Sequence, residues 1–208
     1  MDDRAGRAAI VAAGARLGRR GLISAGEGNL SVRLDAGMLL VTPSGRRKDE
    51  LAPAELVLVD LGSGAALGAA AARPTSDLAI HLAVHRARPD IAAVAHAHLP
   101  ASMALTLAGE VPDPAALPET ALLLPRLPFL ELGVPGSDEL AGRVAAALTE
   151  PPDPLATAVL LERHGAIAVA SDPAGAVDRL ELVEVLCRTW LDAMLVRAAR
   201  GAEGPPRT

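Results

Sequence analysis

The stretch "IAAVAHAHLP", residues 91–100, ends an apolar run with two histidines one residue apart. The chain contains 5 histidines in all, so the pairing of His96 and His98 is a marked concentration. The apolar run predicts a β-strand over residues 91–98. Because residues i and i+2 of a strand point to the same face, both imidazoles would project from one side of the sheet. The spacing also fits two polar residues on the exposed face of a half-buried strand.

A third histidine, His164, lies in a polar break between two apolar strands predicted at residues 157–161 and 166–170. Gly165 follows it and would let the backbone bend around a site. Three neutral imidazoles with a fourth, open position form the ligand set of catalytic zinc sites. The three histidines therefore indicate a candidate metal centre.

A second metal spacing competes with the first. Asp77, His81 and His85 stand at i, i+4 and i+8 of a helix predicted over residues 76–88, so they share a face. Arg88 continues the same stripe, which then fits an ordinary polar helix face.

Composition limits the class of protein. The 208 residues are 50% hydrophobic, with a single Trp, a single Phe and no Tyr, and they suffice for one domain with a sizeable core. The net charge of −5 and the lack of aromatic residues argue against nucleic-acid binding. We find neither a membrane span nor a signal peptide of ordinary form. The single cysteine, Cys187, suits a reducing compartment, so we expect a soluble cytoplasmic protein.

The only lysine, Lys48, lies in the charged run 46–50 and is expected to be solvated. A Schiff-base lysine needs a desolvated pocket that lowers its pKa. Carbonyl chemistry in this chain should therefore depend on a metal ion.

Periodicity predicts a single α/β domain with a mixed or mostly antiparallel sheet. Helices are predicted over residues 4–19, 76–88, 100–108, 137–148 and 173–199. Strands are predicted over residues 30–34, 38–41, 56–60, 91–98, 157–161 and 166–170, with one or two short strands in the Pro-rich stretch 111–128. The domain is expected to span residues 1–200, and residues 201–208 to form a disordered tail.

Three turn segments with small, hydroxyl- or amide-bearing residues indicate an anion site, at residues 26–29, 42–45 and 74–77. The third opens a helix, whose free N–H groups and dipole favour a phosphate. Converging turn N–H groups bind anions without a lysine. Each segment alone also fits a simple turn or N-cap, but together, beside a candidate metal centre, they suggest a phosphorylated metabolite.

These segments resemble, in order and spacing, the motifs of the class II aldolase/adducin family, over about residues 5–197. The motifs are Gly28-Asn29-Leu30-Ser31-Val32-Arg33, Val41-Thr42-Pro43-Ser44-Gly45, Pro74-Thr75-Ser76-Asp77 with His81, Ala95-His96-Ala97-His98 and Arg163-His164-Gly165. The resemblance implies a three-layer α/β/α fold with a central, mainly antiparallel sheet. It also implies a homotetramer with four-fold symmetry, whose site lies near a subunit boundary.

The resemblance further implies roles for the site residues. His96, His98 and His164 correspond to the ligands of one Zn²⁺ per subunit, or of another divalent transition metal. Asp77 falls where the aldolases have a glutamate that is both an acid/base and an additional zinc ligand. The positions that correspond to substrate phosphate contacts are Gly28, Asn29, Ser44, Gly45, Thr75 and Ser76.

The chain departs from the family pattern in two respects. Aspartate at position 77 is one methylene shorter than glutamate, a substitution that related pentulose-phosphate epimerases share. The aldolases and epimerases use tyrosines around the site, and this chain has none. Glu119, near the region that supplies the neighbouring subunit's acid, is a candidate catalytic residue, or else a solvated loop residue. His81 and His85 do not hold ligand positions in the family.

The resulting hypothesis is a zinc-dependent aldolase, an aldehyde-lyase that cleaves a ketose 1-phosphate to dihydroxyacetone phosphate and an aldehyde through a metal-stabilised enediolate. Alternatives within the family are a pentulose-phosphate 4-epimerase and a sugar-acid-phosphate decarboxylase. A non-catalytic, adducin-like binding module is disfavoured because all three histidines and Asp77 are present.

Overall fold

The computed structural model describes residues 1–35, 37–68 and 72–203. The helices are α1 (Asp3–Arg19), α2 (Leu78–Ala87), α3 (Pro100–Leu107), α4 (Pro118–Leu123), α5 (Asp138–Thr149) and α6 (Pro173–Glu203). The strands are β1 (Asn29–Arg33), β2 (Met38–Val41), β3 (Val57–Asp60), β4 (Ala66–Leu67), β5 (Ala93–Ala97), β6 (Phe129–Leu130), β7 (Ala158–Leu161) and β8 (Gly165–Ala170).

These strands form a single sheet in the order β4-β3-β2-β1-β5-β8-β7-β6. The β6–β7 pair is parallel and every other neighbouring pair is antiparallel. β5, which carries the first of the paired histidines, lies between β1 and β8 near the middle of the sheet. The expected mainly antiparallel sheet is confirmed.

Helices cover both faces of this sheet. On β5, Ala93, Ala95 and Ala97 belong to a core shared with α1 and α6, whereas Val94 belongs to a second core shared with α2 and α5. This alternation follows from the two-residue period of a strand. The three-layer α/β/α arrangement is therefore confirmed. His96 is in phase with Val94 and projects on the α2/α5 side.

Local sequence signals begin several of the helices. The Asp2 side chain accepts a hydrogen bond from the Ala5 backbone N–H at the start of α1, and Ser137 does the same for Leu140 at the start of α5. Pro100 occupies the first turn of α3. Backbone N–H groups in a first turn have no acceptor within the helix, so the N–H that proline lacks costs no helical hydrogen bond.

The Pro-rich stretch 111–128 is the clearest error of the sequence prediction. Instead of strands it contains a helical turn at Pro114–Ala116 and then α4. Proline at the first position of each helical segment presets the helical φ angle. This preference outweighed the strand preference of the apolar residues between the prolines.

The end of the chain also differs from the prediction. α6 continues to Glu203, past residue 200 at which the domain was expected to end, and the remainder of the predicted tail, 204–208, lies outside the described residues. Within the described ranges no helix combines the length and apolar character needed to cross a membrane.

Candidate metal centre

Three imidazoles meet at one end of the sheet because β5 and β8 are adjacent. His96 is the penultimate residue of β5, His98 follows the strand, and His164 immediately precedes β8. The antiparallel register pairs Ala97 with Ala166, which brings the end of β5 to the start of β8. The ligand nitrogens of the three histidines lie within 4.8 Å of one another, and their ring centroids are between 4.7 and 5.0 Å apart. The structure thus brings together the three histidines that the sequence indicated.

Gly165 makes this convergence sterically feasible. Its φ angle of +85° lies in the left-handed region, and a Cβ atom at this position would stand 2.0 Å from the backbone oxygen of Ala97. No L side chain fits there without moving β5 or β8.

Replacing Gly165 with alanine should therefore lower the free energy of unfolding by at least about 3 kcal/mol, since φ strain and backbone overlap add. Gly142→Ala is the matched control. It lies within α5 with no atom near the added Cβ, and alanine should raise stability there by about 0.5–1 kcal/mol. Urea unfolding of both variants measures the difference. Equal stability of the two variants would contradict the close approach.

The hydrogen bonding of His96 fits a bound metal ion. Its Nδ1–H donates to the backbone oxygen of Ala166 at 3.0 Å, which leaves Nε2 as a buried nitrogen without a partner among the described residues. Burial, with a smaller contribution from His164 and His98, lowers the pKa of His96 to about 3, so the ring is neutral. A buried unpaired nitrogen is costly unless a ligand uses its lone pair. The residues therefore fit a divalent metal ion of the class that imidazole prefers, such as zinc.

Asp77 lies immediately before α2 and is buried. The Nδ2–H of Asn29 donates to its Oδ2 at 2.7 Å. Desolvation acts to raise the pKa of Asp77, but the charge that His96 can carry and the Asn29 hydrogen bond outweigh it, and the pKa lies below its usual value. The cluster of ligand atoms found among the described residues comprises the three histidines alone, so direct ligation by Asp77 stays a prediction.

A cavity of about 530 Å³ contains this centre. It is lined by two of the three imidazoles, His98 and His164, and by Asp77. All six predicted phosphate-binding residues line it as well: Gly28, Asn29, Ser44, Gly45, Thr75 and Ser76. The three turn segments that looked alike in the sequence therefore converge on the same space as the candidate metal centre.

The family comparison agrees with this geometry. The family described as Class II Aldolase and Adducin N-terminal domain matches residues 8–191. The chain belongs to the class II aldolase and adducin family.

Relatives of this class II aldolase family member bear the names of different enzymes. A 3-oxo-tetronate 4-phosphate decarboxylase of Haemophilus influenzae is 32% identical over 192 residues, 88% of this chain and 86% of that protein. A methylthioribulose-1-phosphate dehydratase of Acidiphilium cryptum is 34% identical over 188 residues, 85% of each chain. The crystal structure of L-fuculose-1-phosphate aldolase from Thermus thermophilus superposes with a TM-score of 0.79 at 31% identity, covering 96% of this chain and 97% of that one. Membership of the family is therefore established, but the names of these relatives describe different reactions.

Lys48 is a lining residue that the sequence reasoning misplaced. It was expected to be solvated, but it is 3% exposed and lines the cavity of this class II aldolase family member. Its Nζ donates to the backbone oxygens of Gly26 at 2.6 Å and Arg46 at 2.8 Å. Burial lowers the pKa of Lys48, against the opposing charge of Asp77. The expectation failed because α1 packs over Lys48, which only the folded chain reveals. Gly14 within α1 allows this packing, because a Cβ atom there would stand 2.2 Å from the backbone oxygen of Lys48.

In the sequence Glu27 is one residue of the turn segment 26–29 and was assigned no role of its own, yet it also lines the cavity. Its Oε2 accepts hydrogen bonds from the Ser24 backbone N–H and hydroxyl at 3.1 and 2.7 Å, and its Oε1 stands 3.5 Å from Nδ1 of His98. Desolvation acts to raise the pKa of Glu27, and the two Ser24 hydrogen bonds with the nearby His98 lower it overall. Asp77 is therefore not the only carboxylate in the cavity.

Glu119 lies apart from this cavity within the chain. It is an exposed residue of α4 and is not among the cavity-lining residues. Its assignment to a neighbouring subunit's site stays a prediction.

The rival metal spacing does not form a site. His81 and His85 are almost fully buried and are hydrogen-bonded to Ser31 rather than gathered with Asp77 around a common point. Arg88 is not a solvated residue either. It is buried, pairs with Asp90, and donates to a backbone oxygen at the end of α5. The interpretation of this stripe as an ordinary polar face was therefore wrong.

Buried neutral histidines make the fold sensitive to acid. Burial lowers the pKa of His81 to about 4, from about 6.5 in an unfolded chain. Below about pH 6.5 the imidazole of His81 binds a proton in the unfolded chain but not in the folded one. The free energy of unfolding therefore falls as the pH falls towards the pKa of the folded state. We expect this effect of His81 to lower the free energy of unfolding by about 2 kcal/mol as the pH falls from about 7 to about 5. Urea unfolding of metal-free protein tests this, and a His81→Leu variant should show a shallower pH dependence. An unchanged slope in that variant would contradict the prediction.

Proposed function

We propose that the chain is a metal-dependent aldolase that cleaves a ketose 1-phosphate into dihydroxyacetone phosphate and an aldehyde. The observation that carries this proposal is a single cavity lined by two of the three converging imidazoles, by the buried Asp77 carboxylate and by the three turn segments predicted to bind an anion. The proposal includes one Zn²⁺ per subunit, a cytoplasmic homotetramer and a neighbouring subunit close to the cavity.

The phosphate would bind at the turn segments. The backbone N–H groups of Gly45 and Ser76 donate no hydrogen bond within the described parts of the chain, and neither do the Ser44 and Ser76 hydroxyls. Four donors are therefore free for an anion, and Lys48 adds a positive charge on the same lining. Charge-assisted hydrogen bonds of this kind are stronger than neutral ones.

The reacting end of the substrate would lie towards the imidazoles. A divalent ion on His96, His98 and His164, when bound, supplies Lewis-acid chemistry that polarises the carbonyl and offsets negative charge as the C3–C4 bond breaks. Asp77 acts on C3: in the direction of synthesis its carboxylate removes a proton from that carbon. In cleavage the carboxylate must first take up a proton from solvent, which it then delivers to C3, and the proton of the C4 hydroxyl leaves by a separate route. Proton removal from the C4 hydroxyl needs a second base, and the candidates are Glu119 of a neighbouring subunit and Glu27.

Dehydration of a ketose 1-phosphate is the second candidate reaction. The relative from Acidiphilium cryptum bears the name of a dehydratase for such a substrate, and the chain lacks the tyrosines expected of an aldolase. Decarboxylation of a phosphorylated sugar acid is the third candidate, because the relative from Haemophilus influenzae bears the name of such a decarboxylase.

The test is a panel of ketose 1-phosphates, pentulose 5-phosphates and phosphorylated sugar acids, assayed with Zn²⁺ and with a chelator. Dihydroxyacetone phosphate is measured through its reduction by a coupled dehydrogenase. We expect its release from one or more ketose 1-phosphates, its loss with chelator and its return on adding metal. A dehydrated product without dihydroxyacetone phosphate would replace the aldolase by the dehydratase. Turnover of only a pentulose 5-phosphate or a sugar acid would assign an epimerase or a decarboxylase instead.

A further inference from the structure

We propose that a one-way chain of hydrogen bonds, running from His85 through Ser31, His81 and Asn29, holds the Asp77 carboxylate in its working orientation. His81 is the central positioning residue of this chain. The inference rests on the proposed function, because it explains how the fold orients the acid/base of that reaction.

The chain of contacts is continuous and buried. Asn29 Nδ2 lies 2.7 Å from Asp77 Oδ2, and Asn29 Oδ1 lies 2.7 Å from His81 Nε2. His81 Nδ1 lies 2.7 Å from the Ser31 hydroxyl, which lies 2.9 Å from His85 Nε2. All five side chains belong to buried residues. They come from β1 and from α2 with the residue before it, so the chain joins the sheet to the helix that Asp77 begins.

The chemistry of each group fixes the direction of these bonds. An ionised Asp77 only accepts, so the Asn29 amide must turn its N–H towards it and present its oxygen to His81. His81 must then donate from Nε2, and as a neutral ring it accepts at Nδ1 from the Ser31 hydroxyl. The Ser31 oxygen in turn accepts from Nε2–H of His85. Every donor therefore points towards Asp77.

Two further observations agree with this order. The Nδ1 atom of His85 has no hydrogen-bond partner among the described residues, as expected for the unprotonated end of such a chain. Burial lowers the pKa of both rings, to about 4 for His81 and well below the usual value for His85. Both are therefore neutral near pH 7, and each has one donor and one acceptor nitrogen.

This chain of hydrogen bonds positions the Asp77 side chain and does not transfer protons to it. An amide passes a proton only through an unfavourable tautomer, so Asn29 interrupts any transfer between His81 and Asp77. What the chain does provide is a fixed amide plane, because both ends of Asn29 are bonded. One N–H of Asn29 remains for the substrate, consistent with its place in the cavity lining.

The first experiment reads the tautomers directly. Long-range ¹⁵N–¹H correlation spectra of the Zn²⁺-loaded protein near pH 7 should show His81 and His85 protonated at Nε2 and unprotonated at Nδ1. In a Ser31→Ala variant the His81 ring loses its Nδ1 partner, so its Nε2–H signal should broaden or exchange faster with solvent. Protonation of His81 at Nδ1 in the native protein would overturn the proposal, because Asn29 would then have no donor.

The second experiment separates positioning from folding. His81→Leu removes the donor to Asn29 and should lower kcat about 10- to 100-fold with little change in KM, as loss of an outer-shell partner does. His81→Gln keeps an N–H and should recover part of that loss. Val84→Ala, a cavity-forming change in the buried core side of α2, is the matched control and should lower stability while leaving kcat unchanged.

The outcomes also separate this inference from the proposed function. Two results would overturn the positioning role and show that the hydrogen bonds act only on folding. One is a fall of kcat in Val84→Ala as large as that in His81→Leu. The other is a kcat of His81→Gln no higher than that of His81→Leu. A native protein with the expected tautomers but no lyase activity on any phosphorylated sugar would contradict the proposed function and the positioning role together. Activity together with the wrong tautomers would contradict this inference alone.

Discussion

Replacing His164 with alanine should lower kcat/KM about 10³-fold and prevent stoichiometric binding of Zn²⁺. The expected loss corresponds to about 4 kcal/mol, the scale on which a Lewis acid stabilises developing charge. His164 is the best of the three positions for this test. It is partly exposed and follows β7 in a short turn, so alanine there leaves no buried cavity. His96, by contrast, is fully buried, and its removal would confound metal loss with unfolding.

Arg163→Asn is the matched control for this variant. Arg163 shares the turn with His164 and has a φ angle of +55°, which asparagine tolerates better than most residues. It is half-exposed and does not line the cavity, so the control should keep both the metal and the activity. Metal analysis, circular dichroism and the coupled assay are run on both proteins. Full activity of His164→Ala without bound metal would remove the basis of the proposed function.

The histidine cluster was predictable because it follows from local geometry. His96 and His98 need only the two-residue period of a strand to share a face, and the antiparallel pairing of two apolar strands brings His164 to the same edge. The turn segments were recognisable for a similar reason, since small and hydroxyl-bearing residues mark positions where backbone N–H groups are free.

Burial of charged and polar side chains was not predictable in the same way. Lys48 stands in a run of charges that is typical of solvent-exposed segments, and only the packing of α1 above it takes it out of water. His81 and His85 keep the helical spacing of a polar face, yet that face lies against β1, where Ser31 provides the partner. Spacing identifies which side chains share a face, but the tertiary fold decides what covers that face.

The alanines of β5 are a second example of a strand face whose covering element the sequence does not reveal. One face of β5 consists of alanines, which are weak strand formers: Ala93, Ala95 and Ala97. The sequence predicts a strand here only because valine and histidine alternate with them on the other face. In the structure these small side chains form the surface on which α6 packs. The strand that positions His96 is therefore held by contacts with the final helix, far away in the sequence.

Asp77→Asn should lower kcat about 10³-fold while the protein keeps its metal, because three imidazoles remain in place and only the proton carrier is lost. The substitution is nearly isosteric, and the new amide oxygen still accepts from Asn29, so the orientation of the side chain is preserved. Because the pKa of Asp77 lies below its usual value, the folded state favours its charge, and the neutral amide should cost some stability. Urea unfolding of the variant therefore accompanies the assay and separates loss of folding from loss of the proton carrier.

The decisive measurement is a partial reaction. With dihydroxyacetone phosphate alone in D₂O, the native protein should exchange a hydrogen of the hydroxymethyl carbon, since that carbon becomes C3 of the ketose and Asp77 carries its proton. The Asp77→Asn variant should lose this exchange, and Asp77→Glu, which restores a carboxylate one methylene longer, should retain part of it. Exchange at the native rate in Asp77→Asn, with metal bound, would show that another group carries the proton. The Glu27 carboxylate, on the same cavity wall beside His98, would then be the residue to test by the same exchange.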